Sequence, residues 1–196
     1  MPTVEPKTTS PSTKRPPFGG AAKGGAPQKR RAPKSEYGRQ LEEKQKAKKN
    51  YFLSEKQFSA YVKKASEKKG VDPKATLYES LETRLDSIVY RLGLSGFSRP
   101  FARQIVSHGH ILVNGVRVNI PSYHVRVGDK FSIRKGSFSK PIFQNGLKKI
   151  QEEKIFPPTW ISFDYKKGEG ELKGMPQMDK SEILVDLASV IEFYSR

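Results

Sequence analysis

The sequence predicts an α+β protein, with several amphipathic helices, a small antiparallel sheet and a basic, disordered N-terminal arm. Three observations carry this. Between Ser35 and residue 107, apolar residues recur at helical spacing between capping residues and glycines. Residues 111–134 switch to short alternating runs turned by Asn114-Gly115. Residues 1–34 hold almost no large apolar side chain besides Val4 and Phe18.

Taken in order, the arm comes first. Its eight lysines and arginines stand against Glu5 alone, a net +7, and it cannot bury enough surface to offset its ordering entropy. It reads as a basic arm that orders on RNA, with a solvated tail and a transit peptide as the other readings. Ser35 to Lys49 is helical, with Tyr37 and Leu41 among basic residues. Its apolar face is so thin that it is expected to lean on something outside the protein. Ser54-Glu55-Lys56-Gln57 reads as a capping box. Phe58, Tyr61, Val62 and Ala65 follow on one face, and Gly70 stops the helix. Asp72-Pro73 opens a third helix, expected to run through Leu77 to Leu92 with Leu81, Leu85, Ile88 and Val89 on its apolar stripe. Arg84 and Arg91 fall seven residues apart on a neighbouring face.

Ser98 is the expected N-cap of the next helix, with Pro100 in its first turn, and Gly109 ends it. Its free amides and positive dipole end suit a phosphate, and Arg99 and Arg103 stack beside them at i, i+4. These two helices are expected to present arginines with no compensating acid except Asp86. Ile111–Val113 and Val116–Val118 flank the turn dipeptide, His124–Val127 begins another strand, and Phe131–Arg134 alternates apolar with polar. Phe143, Leu147 and Ile150 predict a short helix weakened by Gly146, and Trp160–Phe163 a strand. Lys166–Gly168 forms a turn, and residues 181–196 carry Ile183, Leu184, Leu187, Val190 and Ile191 at mixed helical spacing. Trp160 and Phe193 are expected to be core anchors rather than base-stacking platforms.

Charge narrows the function. The 196 residues carry a formal +17, from 37 Lys+Arg against 20 Asp+Glu. That excess favours a polyanion, because each neutralised phosphate releases counterions. No apolar run approaches the ~18 residues of a spanning helix, and no N-terminal segment has the apolar core of a secretion signal, so nucleic acid is favoured over a membrane. There are no cysteines, which excludes thiolate zinc sites. His108, His110 and His124 read as solvated or phosphate-facing rather than as metal ligands. No catalytic set assembles: Gly19-Gly20 and Gly24-Gly25 are too scattered to cradle a nucleotide, and Asp86 suits an arginine better than a dyad with His108. The expectation is a non-enzyme without cofactor, metal or small-molecule substrate.

The order of these residues is familiar. LETRLDSIVYRLG (81–93) and SRPFARQIVSHGHILVNGVRVNIPSYHVRVGD (98–129) closely resemble the RNA-binding domain of bacterial small-subunit ribosomal protein four. SEYGRQLEEKQKAK (35–48), EKQF (55–58), PTW (158–160) and VIEFYSR (190–196) resemble the flanks of that family, so the likeness covers about residues 35–196. The resemblance implies a mainly helical domain, residues 35–80 and 141–196, the latter with a short β element. Into it is inserted an RNA-binding module at 81–140, two helices packed on a small antiparallel sheet, with the arm at 1–34 in front. It also implies binding to the 5′ domain of small-subunit rRNA, a role in early assembly and in translational accuracy, and cytoplasmic ribosomes as the location. Small-subunit protein five and mRNA, where it enters the subunit, are the implied neighbours.

By motif match the RNA-facing candidates are Tyr37, Arg39, Gln40, Lys44 and Lys46 in the first helix. In the module they are Arg84, Arg91, Ser98, Arg99, Arg103, Gln104, Ser107, His108, His110, Asn114, Arg117, Asn119, Ser122 and Tyr123. Arginines would bind phosphate bidentately, Ser and Asn would reach backbone or 2′-hydroxyls, and Tyr37 or Tyr123 would stack or hydrogen-bond. Truncating Arg99 or Arg103 is expected to weaken RNA binding by about 1–3 kcal/mol with little change in folding. Two departures stand out. Many relatives have a longer N-terminal region, sometimes with a zinc cluster, which a cysteine-free chain cannot build. Phe52 replaces the Gly that usually follows the tyrosine at position 51, so the turn there is expected to differ. A free-standing RNA-binding factor and an RNA-modifying enzyme with this module as an accessory are the competing readings; the first needs no matching flanks, the second a catalytic domain for which about 60 residues leave no room.

Overall fold

A computed structural model describes residues 35–96, 98–153, 157–178 and 185–195. The arm at 1–34, and Ile183 and Leu184, lie outside the described residues.

Helix α1 (Glu36–Asn50) starts at Ser35, whose hydroxyl accepts from the Gly38 amide at 3.2 Å. It ends in a paired-carbonyl cap: the amides of Phe52 and Leu53 donate to Lys49 and Lys48, each at 3.1 Å. That cap places Phe52 at φ 51, the conformation glycine adopts at least cost. Phe52→Gly, or Phe52→Asn, is therefore expected to raise stability by up to about 1 kcal/mol, read as a higher urea midpoint at unchanged slope. A lower midpoint would show that the half-exposed ring contributes more than the backbone strain costs.

Helix α2 (Glu55–Glu67) has the capping box expected of it: the Gln57 amide donates to Ser54 Oγ at 3.3 Å, and the Ser54 amide donates to Gln57 Oε1 at 3.4 Å. Asp72 caps α3 (Pro73–Glu82). The single helix expected through Leu92 is broken. Arg84 is extended (φ −65, ψ 141), and α4 (Leu85–Arg91) begins after it. The break has a backbone cause. The amides of Leu85 and Asp86 donate to Tyr123 and Pro121, and Val125 donates to Thr83, so the loop at 121–125 takes bonds that a continuous helix would make. The strand expected at His124–Val127 is reduced to an isolated bridge between Arg84 and His124.

Helix α5 (Arg99–Ser107) leads to β1 (Ile111–Val113) and β2 (Val116–Val118). Asn114 and Gly115 both have positive φ, 49° and 80°, as a two-residue hairpin requires. After β3 (Lys130–Ile133) come a short α6 (Lys135–Phe138), α7 (Pro141–Glu153), β4 (Ile161–Asp164), β5 (Glu169–Leu172) and α8 (Leu187–Tyr194). Gly146 in α7 serves close packing: a Cβ there would sit 2.9 Å from the Leu94 carbonyl oxygen. All strand pairs are antiparallel, in the order β2-β1-β3-β5-β4.

Two hydrophobic cores result. One packs α4, α5 and α7 against the sheet, from Leu85 through Ile105, Phe131, Phe143 and Trp160 to Leu172. Phe143, Leu147, Ile150, Trp160, Ile161 and Leu172 thus share the core of the sheet, so no core boundary falls at 140. The other packs Ala47, Phe58, Val62, Leu77 and Leu81 around Leu187 and Val190 of α8. Helix α1 leans on α8, a partner within the chain, and not on something outside it as its thin apolar face implied. Each fully buried Leu or Phe contributes about 1.5–3 kcal/mol. Trp160 is a core residue, while Phe193 is half-buried beneath Tyr37, whose ring centroid lies 5.5 Å away.

Candidate nucleic-acid interface

The side chains expected to face RNA divide into an inward and an outward group. Arg84 is only 1% exposed. Its Nε and Nη2 donate to the Asp86 carboxylate at 3.0 and 2.6 Å, and Nη1 donates to the Tyr61 hydroxyl at 2.8 Å. Arg91 donates from Nε and Nη2 to Glu82 at 2.8 and 3.0 Å. Arg99 lies between the rings of Tyr51 and Tyr90, its Cζ 4.4 and 4.1 Å from their centroids, with Nη2 3.8 Å from Glu82. Glu82 is fully buried and also accepts from the Tyr51 hydroxyl at 2.8 Å. Burial, with Glu82 alongside, pushes the Tyr51 hydroxyl well above its ordinary pKa.

Two expectations are corrected by this arrangement. The arginines of α4 and α5 do have a second compensating acid, Glu82. Truncating Arg99 also cannot leave folding untouched, since the side chain fills the space between two aromatic rings.

In α1, Gln40 and Lys44 point inward, 3% and 8% exposed. Gln40 Nε2 donates to Glu192 at 3.0 Å, and Lys44 Nζ donates to Glu55 at 2.9 Å while sitting 4.6 Å from the Phe193 ring. Glu55 also accepts from Lys48 and from the Tyr194 hydroxyl. These contacts, the Lys44 bond foremost, hold the Glu55 carboxyl at about 2. Gln40 and Lys44 therefore join helices, whereas Tyr37, Arg39 and Lys46 are exposed. The Lys46 pair with Glu43, at 2.7 Å, is on the surface and stabilises little.

The outward group gathers around α5 and the hairpin. Gln104, Ser107, His108, Asn114, Arg117, Asn119, Ser122 and Tyr123 are exposed; Ser98 and Arg103 are half-buried. Ser98 makes no side-chain cap bond, leaving its hydroxyl uncommitted to the helix end. Arg103 Nη1 donates to the Phe52 carbonyl at 3.0 Å. Arg117 Nη2 donates to the His108 carbonyl at 2.9 Å, and its guanidinium crosses Gly109 so closely that a Cβ there would collide with it. Asn114 is positional: Nδ2 donates to Asp129 at 2.8 Å and Oδ1 accepts from the Lys130 amide at 2.9 Å, tying the hairpin tip to the next turn. His110 is buried, its Nδ1 2.9 Å from Ser137 Oγ and its ring edge-on to Phe143.

His110 reports the charge of this face. Burial first, then Lys140, His108, Arg134 and Arg117, lower its pKa. None of Arg117, Arg134 and Lys140 forms an ion pair among the described residues. Arg134 and Lys140 were not among the expected site residues, because one closes a strand and the other sits in a Ser/Lys-rich connection. A signal was present: residues 130–151 contain no acidic residue.

Sequence comparison adds an independent line. A family model described as "S4 domain" matches residues 83–131, which run from the α3–α4 break to the start of β3. One described as "Ribosomal protein S4/S9 N-terminal domain" matches residues 20–82. Over 167 residues the chain is 43% identical to small ribosomal subunit protein uS4 of Natranaerobius thermophilus, covering 85% of this chain and 78% of that protein. It is 45% identical over 168 residues to the uS4 protein of Halothermothrix orenii, covering 86% and 79%. For the uS4 protein of Thermotoga maritima the figures are 42% over 168 residues, covering 85% and 78%.

Proposed function

The chain belongs to the uS4 family of small ribosomal subunit proteins, and from that membership we propose how it works: it is a structural component of the small subunit that grips the 5′ domain of small-subunit rRNA. The family is one of ribosomal structural proteins, not of enzymes. The observation that supports the reading best is the positive face of Arg117, Arg134 and Lys140, which form no ion pair among the described residues, beside the exposed polar groups of α5 and the hairpin. Arginine there offers a planar fork to phosphate, and Gln104, Ser107, Asn119, Ser122 and Tyr123 offer bonds to sugar and backbone. Ser98, Arg103 and His108 extend this face. Tyr37, Arg39 and Lys46 form a second RNA-facing surface on α1. Arg84, Arg91, Arg99, Gln40, Lys44, His110 and Asn114 act one step back, fixing the elements that carry the contacts.

In the assembled particle the protein nucleates folding of the rRNA around it, supports translational accuracy, and neighbours small-subunit protein five and incoming mRNA. Its place is on cytoplasmic ribosomes. The test is footprinting of the purified chain on a 5′-domain transcript, paired with sedimentation of cell extract. Protection of one multi-helix junction and stoichiometric presence on small subunits are expected. Protection of no junction, or substoichiometric presence, would overturn the reading.

A further inference from the structure

A cavity of about 200 Å³ lies between α2 and α3 and beside His124. Thr76 lines it, only 5% exposed, yet its Oγ1 has no hydrogen-bond partner. A buried hydroxyl left unpaired costs about 1–3 kcal/mol, so any polar group that reaches Thr76 is favoured there. The remaining lining is mixed in chemistry. Tyr61 supplies an aromatic wall, Lys64 and Lys68 supply ammonium groups, and Glu79 supplies a carboxylate.

Neighbouring bonds fix what His124 offers. Thr83 Oγ1 donates to the Glu79 carbonyl at 2.7 Å, so its bond with His124 Nδ1 at 3.2 Å must be one it accepts. That leaves Nε2 as an acceptor. Burial, then Arg84 and Lys64, lower the His124 pKa and favour this neutral form. An inorganic anion would use the lysines and leave the ring, the acceptor and the carboxylate idle. A nucleotide uses all of them.

We propose that this cavity holds one extruded nucleotide of the bound RNA, with the base against Tyr61, its polar edge on Thr76, Glu79 and the His124 acceptor, and a flanking phosphate on Lys64 and Lys68. This rests on the RNA-binding reading above and extends it to a further site. Unstacked bases are the usual targets of sequence-selective RNA recognition. A carboxylate accepts from an exocyclic amine, so Glu79 favours cytosine, adenine or guanine over uracil.

The experiment titrates the full chain with each of the four nucleoside 5′-monophosphates and with inorganic phosphate, following amide chemical shifts of α2 and α3. In parallel, retention of a small-subunit rRNA fragment on filters is measured. An amine-bearing nucleotide is expected to saturate the cavity signals, uridine monophosphate to bind more weakly, and phosphate at equal concentration not to displace the bound nucleotide. Thr76→Val, close to isosteric, and the surface change Lys68→Ala are each expected to weaken binding about three- to tenfold. Displacement by phosphate would make this an anion site and overturn the nucleobase assignment. So would the absence of saturable shifts, or affinities unmoved by both variants. If the wild-type chain retains rRNA while no nucleotide titrates, only the cavity proposal falls. If it retains no rRNA, the reading beneath it falls.

Discussion

Replacing Glu82 with alanine is expected to lower folding stability by about 3–5 kcal/mol, the cost of leaving buried charges without their counter-ion. Glu82 is fully buried and meets Arg91, Arg99 and the Tyr51 hydroxyl. Its removal takes the buried carboxylate away from two guanidinium groups, one of them fixed between aromatic rings and unable to swing into water without leaving both. Glu82→Gln keeps the shape and one acceptor oxygen, so its effect should be smaller. Urea unfolding measures both, with the midpoint falling and the slope held. A fall below about 1 kcal/mol for the alanine variant would mean that Arg91 and Arg99 find water or other partners. The cluster would then be ornamental to stability.

The second large effect concerns binding rather than folding. Changing Arg117, Arg134 and Lys140 together to alanine should weaken rRNA binding by about 1–2 kcal/mol for each phosphate left unbound. It should also reduce the slope of log affinity against log salt by roughly 2–3. Folding should change little, because these side chains form no ion pair among the described residues; the Arg117 bond to the His108 carbonyl is the one that disappears. Filter binding across a salt series checks both numbers. An unchanged salt slope would place the RNA on another face.

The features legible in the sequence are those fixed by a few adjacent residues. The capping box at Ser54–Gln57, the Asp72 cap and the Asn114-Gly115 hairpin are closed locally, so their chemistry is written in four or five letters. Features made across the chain were not legible. The break between α3 and α4 depends on bonds to residues 121–125, and the Glu82 cluster draws on positions 51, 91 and 99. Strand β5, Glu-Gly-Glu-Leu, has no β-branched residue; it is a strand because β3 and β4 pair with both its edges. Its glycine is required there: a Cβ at Gly170 would meet Phe163 and the Ser162 carbonyl at 2.6 Å. The candidate site followed the same division. Exposed polar groups on the hairpin were named through the match to the family's motif, whereas no local pattern tells that Arg84 turns inward and Arg134 outward.

The pairing of α1 with α8 has a consequence for synthesis of the chain. Everything in the sheet-side core lies between residues 85 and 172, so that unit can close while translation is still under way. The helical core cannot, because Leu187 and Val190 are its last pieces and cover Phe58, Val62 and Leu77 made more than a hundred residues earlier. A nascent chain therefore presents a finished sheet and an open, sticky bundle of α1, α2 and α3 until α8 emerges. Products that end before α8 therefore keep the apolar face of Phe58, Val62 and Leu77 uncovered by Leu187 and Val190.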